Sequence, residues 1–75
     1  MAKIAMDKNL IGQTVIGRSG YGGGSEIIGK IIKIEITRWE ISAQIELDNK
    51  DTDWADCVYE YDPYYHAGSG WYLAS

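Results

Sequence analysis

A near match to a phosphate-binding loop is the most conspicuous chemical motif in the chain. Residues 24–31, Gly-Ser-Glu-Ile-Ile-Gly-Lys-Ile, follow the pattern Gly-x-x-x-x-Gly-Lys-Ser/Thr up to its last position. That position needs a hydroxyl to hold Mg²⁺, and Ile31 has none. A phosphate-binding loop also opens a helix, whereas alternating β-branched residues follow Lys30. We therefore interpret the match as accidental.

The glycine-rich loop just before this segment has two interpretations. Four of the five residues 20–24 are glycine, and a flexible hairpin loop is the simpler explanation. Consecutive backbone N–H groups with little side chain around them can also form an anion-binding nest. The loop could then hold a nucleotide phosphate while a tyrosine ring stacks on the base. The candidate anion-binding residues are Arg18, Ser19, Tyr21, Gly22, Gly23, Gly24 and Ser25.

The chain lacks the residues that a catalytic site or a metal site would require. His66 is the only histidine, and no Gly-x-Ser-x-Gly elbow presents a serine, so a nucleophile, base and orienter cannot be assembled. Asp48, Asp51, Asp53 and Asp56 lie in or next to an acidic turn. A calcium-binding loop also needs a glycine at its bend and a bidentate glutamate at its end, and this turn has neither. We predict a protein that is not an enzyme, with no catalytic residue, metal or cofactor.

An aromatic and acidic stretch is the stronger candidate for a binding surface. Seven tryptophan and tyrosine residues lie between Trp54 and Tyr72, and we expect two to four of them to fill the core. Both side chains bury a large apolar area and keep a polar group, which favours them at protein interfaces. The candidate partner-binding residues are Trp54, Asp56, Tyr59, Glu60, Tyr61, Asp62, Tyr64, Tyr65, Trp71 and Tyr72.

Charge is divided unevenly along the 75 residues. The formal net charge is −4; residues 1–38 carry six basic and three acidic side chains, and residues 39–75 carry one basic and eight acidic ones. This sign disfavours direct binding of nucleic acid, which requires a basic surface. An acidic surface instead attracts a basic protein partner.

The elements that must position these residues are strands. Strict alternation of apolar and polar residues predicts two strands joined by a tight turn at residues 37–39. On the first strand the predicted core-facing (dry) side carries Ile32, Ile34 and Ile36. The solvent-facing (wet) side carries Lys33, Glu35 and Thr37. On the second strand the dry face is Trp39, Ile41, Ala43, Ile45 and Leu47, opposite Glu40, Ser42, Gln44, Glu46 and Asp48.

Shorter patterns flank this pair. We predict a strand over Gln13–Arg18, a turn over residues 48–53, a strand over Trp54–Tyr61 that Pro63 stops, and a short final strand over Trp71–Leu73. The Trp54–Tyr61 pattern places Ala55 and Cys57 on one face and Val58 on the other. The chain is then a single domain, residues 1–75, with residues 1–9 a flexible or one-turn segment and residues 10–75 a β-barrel.

This order of elements resembles the small SH3-like barrels, including the KOW-type variety. The resemblance covers residues 10–62 and is carried by Val15-Ile16-Gly17, Ile28-Gly29-Lys30-Ile31 and Ile45-Glu46-Leu47-Asp48. It implies an all-β fold, a small barrel of four to five short antiparallel strands, in which the Gly-Lys-Ile step opens the second strand at a sharp bend. It implies no particular ligand, because such barrels bind many kinds of partner.

Three functions fit these observations. The favoured one is a protein-binding domain, an adaptor or inhibitor that docks its acidic aromatic face on a basic partner, similar to phage-encoded proteins that block host enzymes. The alternatives are an oligomeric binder of a nucleotide or other anion, and a structural subunit of an assembly. Cys57 is the only cysteine, and no signal peptide or membrane-length apolar stretch is present, so we expect the cytoplasm, or the host cytoplasm for a viral protein.

Overall fold

The chain folds as one antiparallel sheet of five strands. The computed structural model describes residues 3–19, 25–64, 66 and 68–75. After a short 3-10 helix at Lys8–Leu10 come the strands β1 (Thr14–Arg18), β2 (Glu26–Ile36), β3 (Ile41–Leu47), β4 (Thr52–Ala55) and β5 (Gly70–Leu73). Their order across the sheet is β4-β3-β2-β1-β5. The prediction of an all-β fold with up to five short antiparallel strands is confirmed.

Strand β2 belongs to both halves of the sheet. Its first part pairs with β1, from Arg18↔Glu26 to Thr14↔Lys30, and the part from Gly29 onward pairs with β3. The register shifts between Ile31 and Lys33, which marks a β-bulge, and a bulge bends a strand and increases its twist. Here β2 leaves β1, and Ile31 exchanges backbone hydrogen bonds with residues 12 and 13.

The bent sheet curls until residues of its two edge strands line one cavity. Asp53 of β4 and Trp71 of β5 are both in the lining. In the described part of the chain no ladder joins β4 to β5, so the sheet is open at that seam. An isolated bridge between Tyr59 and Tyr72 covers the outer edge of β5 instead, with Tyr59 N–H 2.8 Å from the Trp71 carbonyl oxygen.

The bulge corrects the face predicted for β2. Ile34 is buried as predicted and Ile31 is buried as well, whereas Ile32 is 40% exposed. Ile36 is on the same face as Ile34 but lies beyond the end of the core, where it is 59% exposed. One extra residue reverses the alternation, so a strict period of two assigns Ile32 to the wrong side. The Gly29-Lys30-Ile31 step also lies inside β2 and does not open it, because β2 begins at Glu26.

The β2–β3 hairpin turns where the pattern predicts, but Trp39 is not part of its dry face. Thr37 holds the turn, since its N–H donates to the Glu40 carbonyl and its hydroxyl oxygen accepts from Glu40 N–H at 3.1 Å. Trp39 is 86% exposed in this turn, while Ala43 and Ile45 of β3 are fully buried as predicted.

The predicted strand over Trp54–Tyr61 is too long. Strand β4 ends at Ala55, a bend follows at Asp56, and Val58 becomes fully buried. The segment then crosses to β5, and the Val58 carbonyl accepts from Ile4 N–H at 2.9 Å. The alternation fails beyond Ala55 because these residues pack between the N-terminal segment and β5 and do not extend the β3 ladder.

The core lies on the concave side of the sheet and is closed by the N-terminal segment. Its buried members are Val15, Ile31, Ile34, Ala43, Ile45, Ala55 and Val58. Ile4, Met6 and Leu10 pack against this core, and the 3-10 helix at Lys8–Leu10 forms a single turn in this segment. Gly29 is required in the middle of β2, because a Cβ there would collide with the Ile45 side chain.

Candidate functional site

Arg18, a candidate for anion binding, is built into the fold. Its side chain is buried, with Nε 3.2 Å from Glu26 Oε2 and the guanidinium 4.4 Å from the centre of the Tyr72 ring. The guanidinium also donates to the backbone carbonyl of Asp62. Arg18 therefore links β1 to β2 and to the segment before β5. Its guanidinium is directed at partners inside the protein and not at a bound anion.

The rest of the anion-binding candidates divide into two groups. Tyr21, Gly22, Gly23 and Gly24 lie outside the described residues. Ser19 and Ser25 are exposed and form the base of the loop, where Ser19 N–H donates to the Ser25 carbonyl at 3.1 Å.

Asp62 is buried, which corrects its place on the predicted partner-binding surface. It is 1% exposed, and its carboxylate accepts the backbone N–H groups of Tyr64, at 2.9 Å, and of His66. Burial opposes ionisation of this carboxyl, but these two N–H donors, His66 Nδ1 at 3.3 Å and Arg18 outweigh it and hold the pKa of Asp62 below its ordinary value. Asp62 therefore organises the turn between β4 and β5.

Tyr72 is also inside the molecule and not on a binding surface. It is fully buried, its hydroxyl donates to the Gly68 carbonyl, and its ring lies 5.3 Å from that of Tyr59. Burial raises the pKa of Tyr72, and Arg18 beside the ring only partly offsets this effect. Tyr72 is thus a core residue, which corrects its place among the predicted partner-binding residues.

The remaining partner-binding candidates do not share one face. Tyr59 and Trp71 are half-buried, whereas the exposed members are Trp54, Asp56, Glu60, Tyr61 and Tyr64. Tyr65 lies outside the described residues. Trp54 and Asp56 line one groove and Trp71 lines a different cavity, so the structure separates the aromatic stretch into distinct sites.

The acidic groove is the first of these sites. It has a volume of ≈ 370 Å³ and is lined by Glu35, Thr37, Glu40, Ser42, Trp54, Ala55 and Asp56. Cross-strand pairing of Glu35 with Ser42 sets two of these residues side by side, and the Thr37 turn adds Glu40. Three carboxylates and a tryptophan that is 48% exposed therefore converge on one surface.

The Trp71 pocket is the second site and lies at the end of the concave face. It has a volume of ≈ 410 Å³ and is lined by Gly17, Arg18, Ser19, Ser25, Glu26, Ile27, Asp53, Gly70 and Trp71. The Trp71 ring rests on the backbone of Gly17, where a Cβ would come within 2.9 Å of it. The Glu26 charge is matched by Arg18, so Asp53 supplies the remaining negative charge of this pocket.

Of the groove acids, Glu35 and Glu40 lie on predicted polar strand faces, but the sequence alone does not bring the three acids together. Glu35 and Glu40 were separated by the hairpin turn, and Asp56 was assigned to an aromatic stretch far along the chain. The residues converge only because β4 pairs with β3 in the register Gln44↔Trp54. No local signal specifies that register, although the polar faces of the two alternating strands point to the correct side of the sheet.

Comparisons with protein-family models, characterised proteins and solved structures find no match for this chain. Among the residues that the structure describes, no helix is long and apolar enough to cross a membrane. Nor do three His, Cys, Asp or Glu side chains of this described part meet in a group that could hold a metal ion.

Proposed function

We propose that the protein is a non-enzymatic protein-binding domain that docks a basic segment of a partner in the acidic groove. The observation that carries this proposal is the convergence of Glu35, Glu40 and Asp56 around the half-exposed Trp54. An adaptor or an inhibitor would act in this way, and a reducing cytoplasm suits a chain whose only cysteine is Cys57.

The groove supplies the two interactions that a lysine or arginine side chain requires. The Trp54 ring offers apolar area for the aliphatic stem and a π face for the cation. The carboxylates offer charge-assisted hydrogen bonds to the head group. Lys33 Nζ lies 3.7 Å from Glu35 Oε2, but both side chains are about half exposed. Such a pair contributes little, so a partner can displace it.

The acidity of the whole chain supports the same function. A net charge of −4 attracts a basic partner over distances of about one Debye length, roughly 10 Å at 0.1 M salt. Attraction of this kind raises the rate of association and makes it depend on ionic strength.

Two double variants with the same change in charge test the proposal. Glu40→Gln/Asp56→Asn removes two groove charges, and Asp48→Asn/Glu60→Gln removes two exposed charges outside the groove. The probes are synthetic peptides that carry two lysine or arginine residues, and affinity is measured by fluorescence anisotropy at low and high salt. We expect the groove variant to bind about tenfold more weakly and the control to bind within about twofold of the wild type.

Equal weakening by both double variants would show that only net charge matters and would overturn the groove. Binding that salt leaves unchanged would exclude charge as the source of affinity. Trp54→Ala adds an independent measurement, because loss of the ring should weaken binding without altering net charge.

A second candidate function is that of a subunit in an assembly, and one observation favours it. The end of the β2–β3 hairpin exposes the cross-strand pair Ile36 and Ile41, 59% and 39% exposed, beside Trp39. These residues continue the apolar face of the sheet beyond the core, and large apolar patches mark contact surfaces. The size of the protein in solution, measured over a range of concentrations, tests this candidate.

A further inference from the structure

Strand β4 has a free edge in the part of the chain that the structure describes. It pairs with β3 on one side and ends the sheet order on the other. Leu47 N–H donates to the Asp51 carbonyl at 2.8 Å, so Leu47 and Asp51 form a hydrogen-bonded pair. Hydrogen-bonded and non-bonded pairs alternate along an antiparallel ladder. The N–H and C=O groups of Thr52 and Trp54 therefore point away from β3.

One of these outward groups confirms the direction. Trp54 N–H donates to the adjacent side chain, Asp53 Oδ1, at 2.8 Å, as expected for an amide that points away from β3. The Thr52 N–H and the carbonyl groups of Thr52 and Trp54 remain as the hydrogen-bonding groups of the edge. A polypeptide in extended conformation fits such a row of groups.

The two candidate sites lie on opposite faces of this same strand. Successive strand residues point to opposite faces. Accordingly, Asp53 lines the Trp71 pocket on the concave side, whereas Trp54, with Asp56 just beyond the strand, lines the acidic groove on the other side. A strand added to the edge of β4 would therefore direct alternate side chains into the two sites.

We propose that the partner's basic segment binds as an extra strand on the free edge of β4 and carries two adjacent basic residues, one for each site. This inference rests on the proposed function and adds the conformation and the sequence pattern of the partner. One basic side chain enters the acidic groove, and its neighbour in sequence enters the Trp71 pocket, where its stem lies against Trp71 and Ile27 and its cation meets Asp53.

The charge on the edge explains why the added strand must be basic. A charged side chain on an edge strand discourages pairing with another chain, because its charge would have to be desolvated without a partner. Asp53 is exposed on β4 and opposes pairing in this way. A lysine or arginine beside Asp53 removes that penalty, so the same residue excludes neutral and acidic strands and admits a basic one.

Two synthetic peptides of identical composition test the pattern. One is acetyl-Thr-Val-Lys-Arg-Val-Thr-amide, with adjacent basic residues, and the other is acetyl-Thr-Lys-Val-Arg-Val-Thr-amide, which places both basic residues on one face of a strand. We expect the first peptide to bind about tenfold more tightly, because the second leaves one site without a cation.

Two substitutions at one position test the backbone contact. Thr52→Pro removes the outward N–H at the first residue of β4, where proline is tolerated, and Thr52→Val keeps that N–H. We expect Thr52→Pro to weaken binding of the first peptide about fivefold and Thr52→Val to leave it unchanged. In the wild-type protein the peptide should slow hydrogen exchange of the Thr52 amide at least about tenfold, a measurement that needs no variant.

The outcomes separate this inference from the proposed function. If Glu40→Gln/Asp56→Asn weakens binding but the peptides bind equally and Thr52 exchange is unchanged, strand addition is overturned and the acidic groove stands. If the groove variant also binds normally, both proposals are overturned. A preference for adjacent basic residues together with a protected Thr52 amide supports strand addition.

Discussion

At the scale of single residues, Arg18 is the side chain whose role changes most between sequence and structure. In the sequence it stands next to a glycine-rich loop and resembles an anion ligand. In the folded chain it contacts Glu26, the Asp62 carbonyl and the Tyr72 ring. Two of these partners are more than forty residues away, so no local pattern reveals that the guanidinium is used internally.

We expect Arg18→Met to destabilise the fold by about 2 kcal/mol in urea denaturation. Removing one partner of a buried ion pair costs several kcal/mol, and the loss is smaller here because Glu26 is 41% exposed and can be hydrated. Arg38→Met is the matched control, since Arg38 is exposed and lies 5.9 Å from the Trp39 ring. Equal stability of the two variants would contradict a structural role for Arg18.

The lowered pKa of Asp62 predicts a dependence of stability on acid. A carboxyl group whose folded pKa lies below its unfolded value stabilises the fold at pH above the unfolded value, 3.8, and loses this contribution as pH falls through the folded pKa. We expect Asp62→Asn to be clearly less stable than the wild type at pH 7 and to differ less from it at pH 3. Chemical denaturation at both values checks this, and a difference that does not shrink in acid would refute it.

At the scale of elements, two tryptophans differ in what they contribute to stability. Trp39 is 86% exposed in the β2–β3 turn, whereas Trp71 packs on Gly17 and against the core. We expect Trp39→Ala to change the free energy of unfolding by less than about 0.5 kcal/mol and Trp71→Ala to lower it by about 3 kcal/mol. Thermal unfolding followed by circular dichroism measures both, and a large loss at Trp39 would show that the hairpin end is not free.

The sequence predicts strands better where pairing is regular than where it is interrupted. Strands β1, β3 and β5 fall within a few residues of their predicted ranges, because alternation and turn residues specify them locally. The burial of Ile34 was predicted but the exposure of Ile32 could not be, since it depends on the bulge after Ile31, where Ile31 forms hydrogen bonds with residues 12 and 13, far from it in sequence. The end of β4 at Ala55 likewise depends on contacts of Val58 with the distant Ile4.

The sequence predicts some of the residues of the candidate sites but not which of them come together in the folded chain. Trp54 and Asp56 were among the expected binding residues, whereas Glu35 and Glu40 joined them only through the pairing of β4 with β3. Asp62 and Tyr72 were expected on a surface and are buried, because the segment that carries them folds over Arg18. Burial of this kind requires contacts between distant parts of the chain.

At the scale of the whole molecule, charge and exposed apolar area act against each other. The net charge of −4 keeps copies apart at neutral pH, and this repulsion vanishes near the isoelectric point of ≈ 4.7. Near that pH, charge repulsion least opposes contact between copies through the exposed end of the β2–β3 hairpin. We expect self-association, measured by dynamic light scattering, to be greatest near pH 4.7 and to fall in Ile36→Thr/Ile41→Thr. Unchanged association in that variant would place the contact elsewhere.

The sharing of β2 by both halves of the sheet has a consequence for how the protein unfolds. Neither half can lose β2 without exposing the core of the other, so the two halves should melt in one cooperative transition with no stable half-folded state. Trp71 reports on the half that contains β1 and β5, and Trp54 on the half that contains β3 and β4. Fluorescence of variants that keep either Trp54 or Trp71 as the single tryptophan, with Trp39 also replaced, should give denaturation midpoints that agree, for each variant, with its own circular dichroism. Separate midpoints would mean that the bulge in β2 acts as a hinge between two independent folding units.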